Sequence, residues 1–169
     1  VLNYLKEAQF DVISVGKIFD IYDGEGVTET YKSLSNNDGC EIFLKQMKRN
    51  FTGLCFMNLV DFDALYGHRR NPHGYGEVIN EFDIYLGKIL NKLQKDDLLI
   101  LTADHGNDPT HHGTDHTREY VPLLIYNEKL ENPKKLPIRD SFADVGATIA
   151  QNFNVRKGQI GTSFLDDLQ

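Results

Sequence analysis

A chain of 169 residues is long enough for one domain with its own core, and 40% hydrophobic with 25% charged residues is the balance of a folded globular chain rather than a disordered tail. The formal net charge of −7 excludes a nucleic-acid binder that works by bulk electrostatics, because neutralising phosphates takes a basic face, and Lys48-Arg49 and Lys134-Lys135 read as solvated charges instead. No apolar run approaches the roughly 18 to 20 residues that cross a bilayer, and the opening Val1-Leu2-Asn3-Tyr4 has no charged-then-apolar signal pattern.

Taken in chain order, residues 2–9 read as the end of a helix, followed by a short strand at Asp11–Val15. The segment from Gly16 to Thr30, with Asp23-Gly24-Glu25-Gly26 inside it, reads as a loop. Ile42, Phe43, Gln46 and Met47 fall at helical spacing and predict a helix from Gly39 to Arg49. Gly53 to Val60 is an apolar run broken only by Asn58 and predicts a buried strand. From Gly74 to Leu93 the positions Tyr75, Val78, Ile79, Phe82, Leu86, Ile89, Leu90 and Leu93 follow a 3.6-residue period, which predicts a long amphipathic helix. Asp97 to Thr102 predicts a second buried strand and Val121 to Tyr126 a third, with Pro122 at its start because proline cannot donate to a ladder. Ser141-x-x-Asp144 resembles a capping box opening a helix through Phe153. The alternation implies an α/β protein with a largely parallel sheet flanked by helices. The two cysteines, Cys40 and Cys55, form no C-x-x-C pair, and Cys55 lies in an apolar run as a buried thiol would; a reducing, cytoplasmic setting is expected.

The six histidines are unevenly spread. His105, His111, His112 and His116 fall within twelve residues, and His68 follows the other apolar strand. Asp61 and Asp63 precede His68; Asp104, Asp108 and Asp115 accompany the later group. Both groups begin where a hydrophobic strand ends, at Leu59-Val60-Asp61 and Leu101-Thr102-Ala103-Asp104. In an open α/β sheet, ligands bind beyond the carboxyl ends of the strands, so the two loops are expected to converge on one edge of one sheet. Carboxylates mixed with imidazoles are a donor set that zinc or manganese accepts. Plainer readings stand beside this one. Asp61 or Asp108 alone is as well read as a cap or turn residue, His73 as a solvated loop residue, and His111 with His112 as a solvent-facing pair. The full set Asp63, His68, Asp104, His105 and His116 is harder to dismiss.

The string from Asn58 through Asp61-Phe62-Asp63-Ala64-Leu65-Tyr66-Gly67-His68-Arg69-Arg70 resembles a signature of phosphopentomutases. So do Leu101-Thr102-Ala103-Asp104-His105-Gly106-Asn107-Asp108-Pro109-Thr110 and Gly113-Thr114-Asp115-His116-Thr117-Arg118-Glu119. The D-x-x-x-G-H spacing of Asp63, Gly67 and His68, the T-A-D-H-G box and the later histidine are similar to the wider alkaline phosphatase-like superfamily. Weaker likeness continues through Gly16-Lys17-Ile18, Asp23 to Glu29, and Phe142 to Gly146, so it covers nearly the whole chain.

The resemblance implies that Asp63, His68 and His116 hold one divalent ion and Asp104 with His105 a second, manganese being the usual metal. It implies interconversion of (deoxy)ribose 1-phosphate and (deoxy)ribose 5-phosphate, a pentose phosphate substrate, through a phosphorylated threonine primed by a sugar bisphosphate activator. It further implies that residues 1–169 are the carboxy-terminal part of the metal-binding core, with the amino-terminal segment, the cap domain, the nucleophilic threonine and one more ligating aspartate absent. Thr102, Thr110, Thr114 and Thr117 do not match the nucleophile's position. Lys17, Arg69 and Arg118, with Arg70, are expected to face phosphate or sugar oxygens or to pair with nearby carboxylates. A core divided in this way is expected to be inactive alone and to self-associate through its exposed edge. The alternatives are a related metal-dependent phosphomonoesterase or phosphoglycerate mutase, or a non-catalytic metal-binding fragment.

Overall fold

The structure, a computed structural model, describes residues 1–130 and 134–168. Its centre is β1 (Asp11–Val15), in which Val12, Ile13, Ser14 and Val15 are fully buried. A strand so enclosed must satisfy its one buried polar side chain, and the Ser14 hydroxyl donates to Thr30 Oγ1 at 2.8 Å. Two parallel partners flank it, β2 (Glu29–Tyr31) and β3 (Gly53–Met57), giving the order β2-β1-β3 with Val12 opposite Leu54 and Ile13 opposite Glu29.

Helices α1 (Leu2–Glu7) and α5 (Ala143–Asn152) complete a core in which Leu2, Leu5 and Val12 meet Phe10, Leu54, Ile149, Phe153 and Val155. Phe10 and Phe153 pack with ring centroids 4.8 Å apart. Helix α3 (Asn36–Gln46) packs on β1 and β3, and α4 (Pro72–Leu90) packs on α3. The expected helix of residues 39–49 therefore starts three residues earlier, because Ser35 Oγ accepts the Asp38 amide and caps it there. The expected loop of residues 16–30 holds a four-residue helix, α2 (Ile18–Ile21), and runs into β2; both are too short to show a period.

The remaining strands correct the expectation of one sheet. β4 (Leu99–Thr102) and β5 (Leu123–Tyr126) form a separate antiparallel pair, with Leu99 opposite Tyr126. None of the three apolar runs is fully buried: β3 is half-buried throughout, Cys55 with it, and Leu124 and Tyr126 are exposed. The outer edge of β3 has no strand partner among the described residues. Burial nevertheless pushes the thiols of Cys40 and Cys55 up to about 11 and about 12, so both stay protonated at neutral pH. Arg49, expected to be solvated, is exposed; it also forks onto Glu29 at 2.7 and 2.8 Å and holds that carboxyl below its ordinary range. Among the described residues no helix is long and apolar enough to cross a membrane.

The expected capping box at Ser141 does not form. Ser141 Oγ accepts the Ala143 amide, but the buried Asp144 carboxylate turns away to accept from the Thr162 amide and Arg139 Nε, each at 2.8 Å. These bonds, the Thr162 amide foremost, hold the Asp144 carboxyl below the usual range. A group depressed in this way contributes stability that is complete above its unfolded value of about 3.9 and disappears as the pH falls through the folded one. Asp144→Asn should therefore cost about 2 kcal/mol at pH 7. Thermal melts should show the gap from the parent narrowing as the pH is lowered below about 4.

Candidate metal centre

Beyond β3 the chain reaches Asp61, which settles into a structural role. Its carboxylate accepts the Asn36 amide at 2.7 Å while its own amide donates to Asn36 Oδ1 at 3.0 Å, fastening the start of α3. The next six residues, Phe62–Gly67, wind as a π-helical turn closed by the His68 amide donating to the Asp63 carbonyl at 2.9 Å. In an α-helix, residues five apart point about 140° away from each other. Closure from i to i+5 returns them to one side, and the D-x-x-x-x-H spacing becomes a shared face. Gly67 has no room for a side chain, since a Cβ there would lie 2.5 Å from Asn107 Nδ2.

The second loop, residues 103–119, is tied to itself by a Gly106–Thr117 bridge and by the Asp108 amide on Thr117 Oγ1 at 2.6 Å; that hydroxyl donates to Glu119. Asp108 is a turn residue: its Oδ1 accepts both the hydroxyl and the amide of Thr110, which holds its carboxyl below the ordinary range. Arg70, at a φ of +51°, reaches across from the first loop. Its guanidinium donates to the carbonyls of Gly67, Asp108, Gly113 and Asp115 and, at 2.6 Å, to Asn107 Oδ1. Asn107 Nδ2 in turn donates to Asp63 Oδ1 at 2.6 Å.

Between the loops three donor sets converge. Asp63 Oδ2 lies 3.3 Å from His68 Nε2, Asp63 Oδ1 lies 3.3 Å from His116 Nε2, and the two imidazole nitrogens are 3.1 Å apart. One ligand atom from each residue falls within 4.8 Å of the others. His68 Nδ1 is 2.5 Å from the Thr114 carbonyl. A carbonyl only accepts, so Nδ1 carries a proton, and Nε2 is the ring nitrogen that faces the cluster. A carboxylate and two imidazole nitrogens this close call for a proton or a cation among them, and the donor chemistry fits a divalent ion of the zinc or manganese kind. Half of the His116 side chain is in solvent, so the position is open on that side.

A family model described as the Metalloenzyme superfamily matches residues 2–157. The chain belongs to the Metalloenzyme superfamily. A solved structure, the PH0037 protein from Pyrococcus horikoshii, superposes with a TM-score of 0.60 at 18% identity, over 73% of this chain and 34% of that one. At that identity the likeness concerns the fold, and the chain spans about a third of that protein's length. Membership of the Metalloenzyme superfamily, together with the Asp63, His68 and His116 cluster, favours divalent metal binding.

The remaining candidate residues distribute unequally around this cluster. His105 stacks its ring on His116, centroids 3.6 Å apart and planes 17° off parallel, touching the cluster by a ring face rather than a donor atom. Asp104 is mostly exposed and 3.7 Å from His105 Nε2, too far for a hydrogen bond. Lys17, Arg69 and Arg118 are exposed. Arg70 differs from them: it is spent on the protein's own carbonyls, so it is not a free phosphate contact. His73 is solvated beside Glu77, and His111 stacks on His112 at the surface. Because β4 belongs to the antiparallel pair, the two loops meet through Arg70 and Asn107 and not along one sheet edge.

Sequence reasoning passed over Asn107 and the Thr114 carbonyl. The available signal for Asn107 was chemical: an amide inside a string of acids and imidazoles is the one side chain there that both donates and accepts in a fixed geometry. Its close seat against Gly67 is directly checkable. Gly67→Ala should destabilise the fold by about 1–3 kcal/mol, as overpacking does, in denaturant titrations of the metal-free protein.

Proposed function

We propose that this chain is the carboxy-terminal, metal-bearing part of a phosphopentomutase, interconverting (deoxy)ribose 1-phosphate and (deoxy)ribose 5-phosphate in the cytoplasm. The observation that carries the reading is the meeting of two pentomutase-like strings at one point: Asp63 and His68 from the first, His116 from the second. In this reading those three side chains hold one ion, while Asp104 and His105 hold another together with an aspartate and the nucleophilic threonine from chain outside these 169 residues. The span of about a third of the similar solved chain and the open edge of β3 support that division.

Two divalent ions, manganese in this reading, would supply charge neutralisation of a phosphoryl group between attacking and leaving oxygens. The chain's own residues do the rest. Asp63, His68 and His116 are held in register by the π-helical turn and the second loop. Lys17, Arg69 and Arg118 keep their cationic heads in solvent, where phosphate and sugar oxygens can reach them. A sugar bisphosphate primes the enzyme, and β3's edge is where a second copy or the remainder of the core would pair.

The test combines metal content with a mutase assay, on this chain and on the chain extended upstream. The expected result is about one manganese or zinc ion bound per short chain with no turnover, and conversion of ribose 1-phosphate by the long one given a sugar bisphosphate. Asp63→Ala or His116→Ala in the long chain should lower kcat at least about a hundredfold, the scale of losing transition-state charge stabilisation. Turnover of phosphoglycerate or plain monoester hydrolysis in place of pentose phosphate would replace this reading with a sister activity. Efficient mutase turnover by the short chain would overturn the division of the site.

A further inference from the structure

Arg70 and Asn107 stand between the two ligand loops, yet neither offers an ion anything. A guanidinium has no lone pair for a cation, and both ends of the Asn107 amide are engaged. The amide's orientation is forced by its neighbours. Arg70 can only donate, so Oδ1 faces it; an ionised Asp63 can only accept, so Nδ2 faces Asp63. Asn107 is 9% exposed and rests against the bare Cα of Gly67, which leaves its side chain a single seat.

We infer that Arg70 and Asn107 are positioning residues for the metal cluster, acting on both ligand loops at once. Through Asn107, Arg70 fixes the rotation of the Asp63 carboxylate: with Oδ1 held by the amide, Oδ2 is turned toward His68 Nε2. Through its bonds to the Gly113 and Asp115 carbonyls, the same guanidinium shapes the turn between them. That turn presents the Thr114 carbonyl to His68 Nδ1, which sets the tautomer of the ring. Arg70 itself follows His68 by two residues, and its left-handed backbone carries the chain out of the π-helical turn so that its head points back at the second loop. Two ligands of the first loop thus depend, through groups of the second, on one cation that touches neither. This inference rests on the reading of Asp63, His68 and His116 as ligands.

The experiment is a titration with Co2+, followed by its visible absorption, on the parent chain, Asn107→Ala, Arg70→Lys and, as a remote control of lowered stability, Asp144→Asn. Lysine keeps the charge of Arg70 but cannot serve five acceptors in fixed directions. Asn107→Ala and Arg70→Lys should each bind Co2+ about 10–100-fold more weakly, with an altered spectrum at saturation, while Asp144→Asn keeps the parent's affinity and spectrum. Far-UV circular dichroism of the metal-free proteins establishes that each variant is folded; if Asn107→Ala is not, Arg70→Lys decides. A folded variant with the parent's affinity and spectrum overturns the positioning role. A parent chain that binds no Co2+ overturns the ligand reading beneath it, and the positioning role with it.

Discussion

The site depends on one guanidinium. Arg70 spends its hydrogen bonds on four carbonyls and one amide oxygen, drawn from residues 67, 107, 108, 113 and 115. The Gly67 and Asp108 carbonyls also accept the amides of Arg70 and His111, but those of Gly113 and Asp115 lie in a turn and without Arg70 would need water or would rearrange. Charge-assisted bonds are roughly twice as strong as neutral ones, and a planar fork sets direction as well as energy. The result is that a loop without secondary structure of its own acquires a fixed position relative to a helical turn. No lysine can replace this, because a point charge does not specify where five acceptors lie.

This explains how a metal-type cluster stands on a fold whose strands do not frame it. The parallel sheet β2-β1-β3, buried only along β1, leads into Asp61 and the π-helical turn, but β4, which delivers Asp104 and His105, belongs to a separate antiparallel pair. A two-stranded unit is marginal by itself. The strand pair is held at the end away from its loop by the Asn127 amide on the Lys95 and Asp97 carbonyls, and at the loop end by the Arg70 and Asn107 contacts. The cluster is consequently only as rigid as these side-chain bonds. Local opening of the 103–119 loop, which has few buried apolar contacts, is the low-energy motion available to this site.

Elements with a clear apolar pattern were legible because burial wrote them into the sequence: β1 falls where that pattern puts it and α4 within three residues. The grouping of Asp63, His68 and His116 was legible for a different reason, the resemblance of the strings that carry them to a known family. What spacing could not convey is that Phe62–Gly67 winds as a π-helix; the five-residue interval has that consequence only once a glycine admits Asn107 beside the turn. The sheet division was illegible because an apolar run looks alike in a buried strand and in a half-covered one. At Ser141 the pattern was right and the partner wrong, since Asp144 had a better bond to Arg139 and Thr162 than to the helix start.

The charge of the site sets the order in which it can work. The two loop segments, residues 61–70 and 104–119, carry six carboxylates and three guanidiniums, and one of those guanidiniums is already spent on the backbone. A phosphate approaching this surface without ions meets net repulsion, in a chain whose overall charge is also negative. One divalent ion at Asp63, His68 and His116 cancels most of the local excess, and a second at Asp104 and His105 reverses it. Only then do Arg69, Arg118 and Lys17 act with the local field rather than against it. In the proposed mutase the ions are therefore a condition for holding a sugar phosphate at all as well as for its chemistry. The geometry that Arg70 and Asn107 impose on Asp63 governs both.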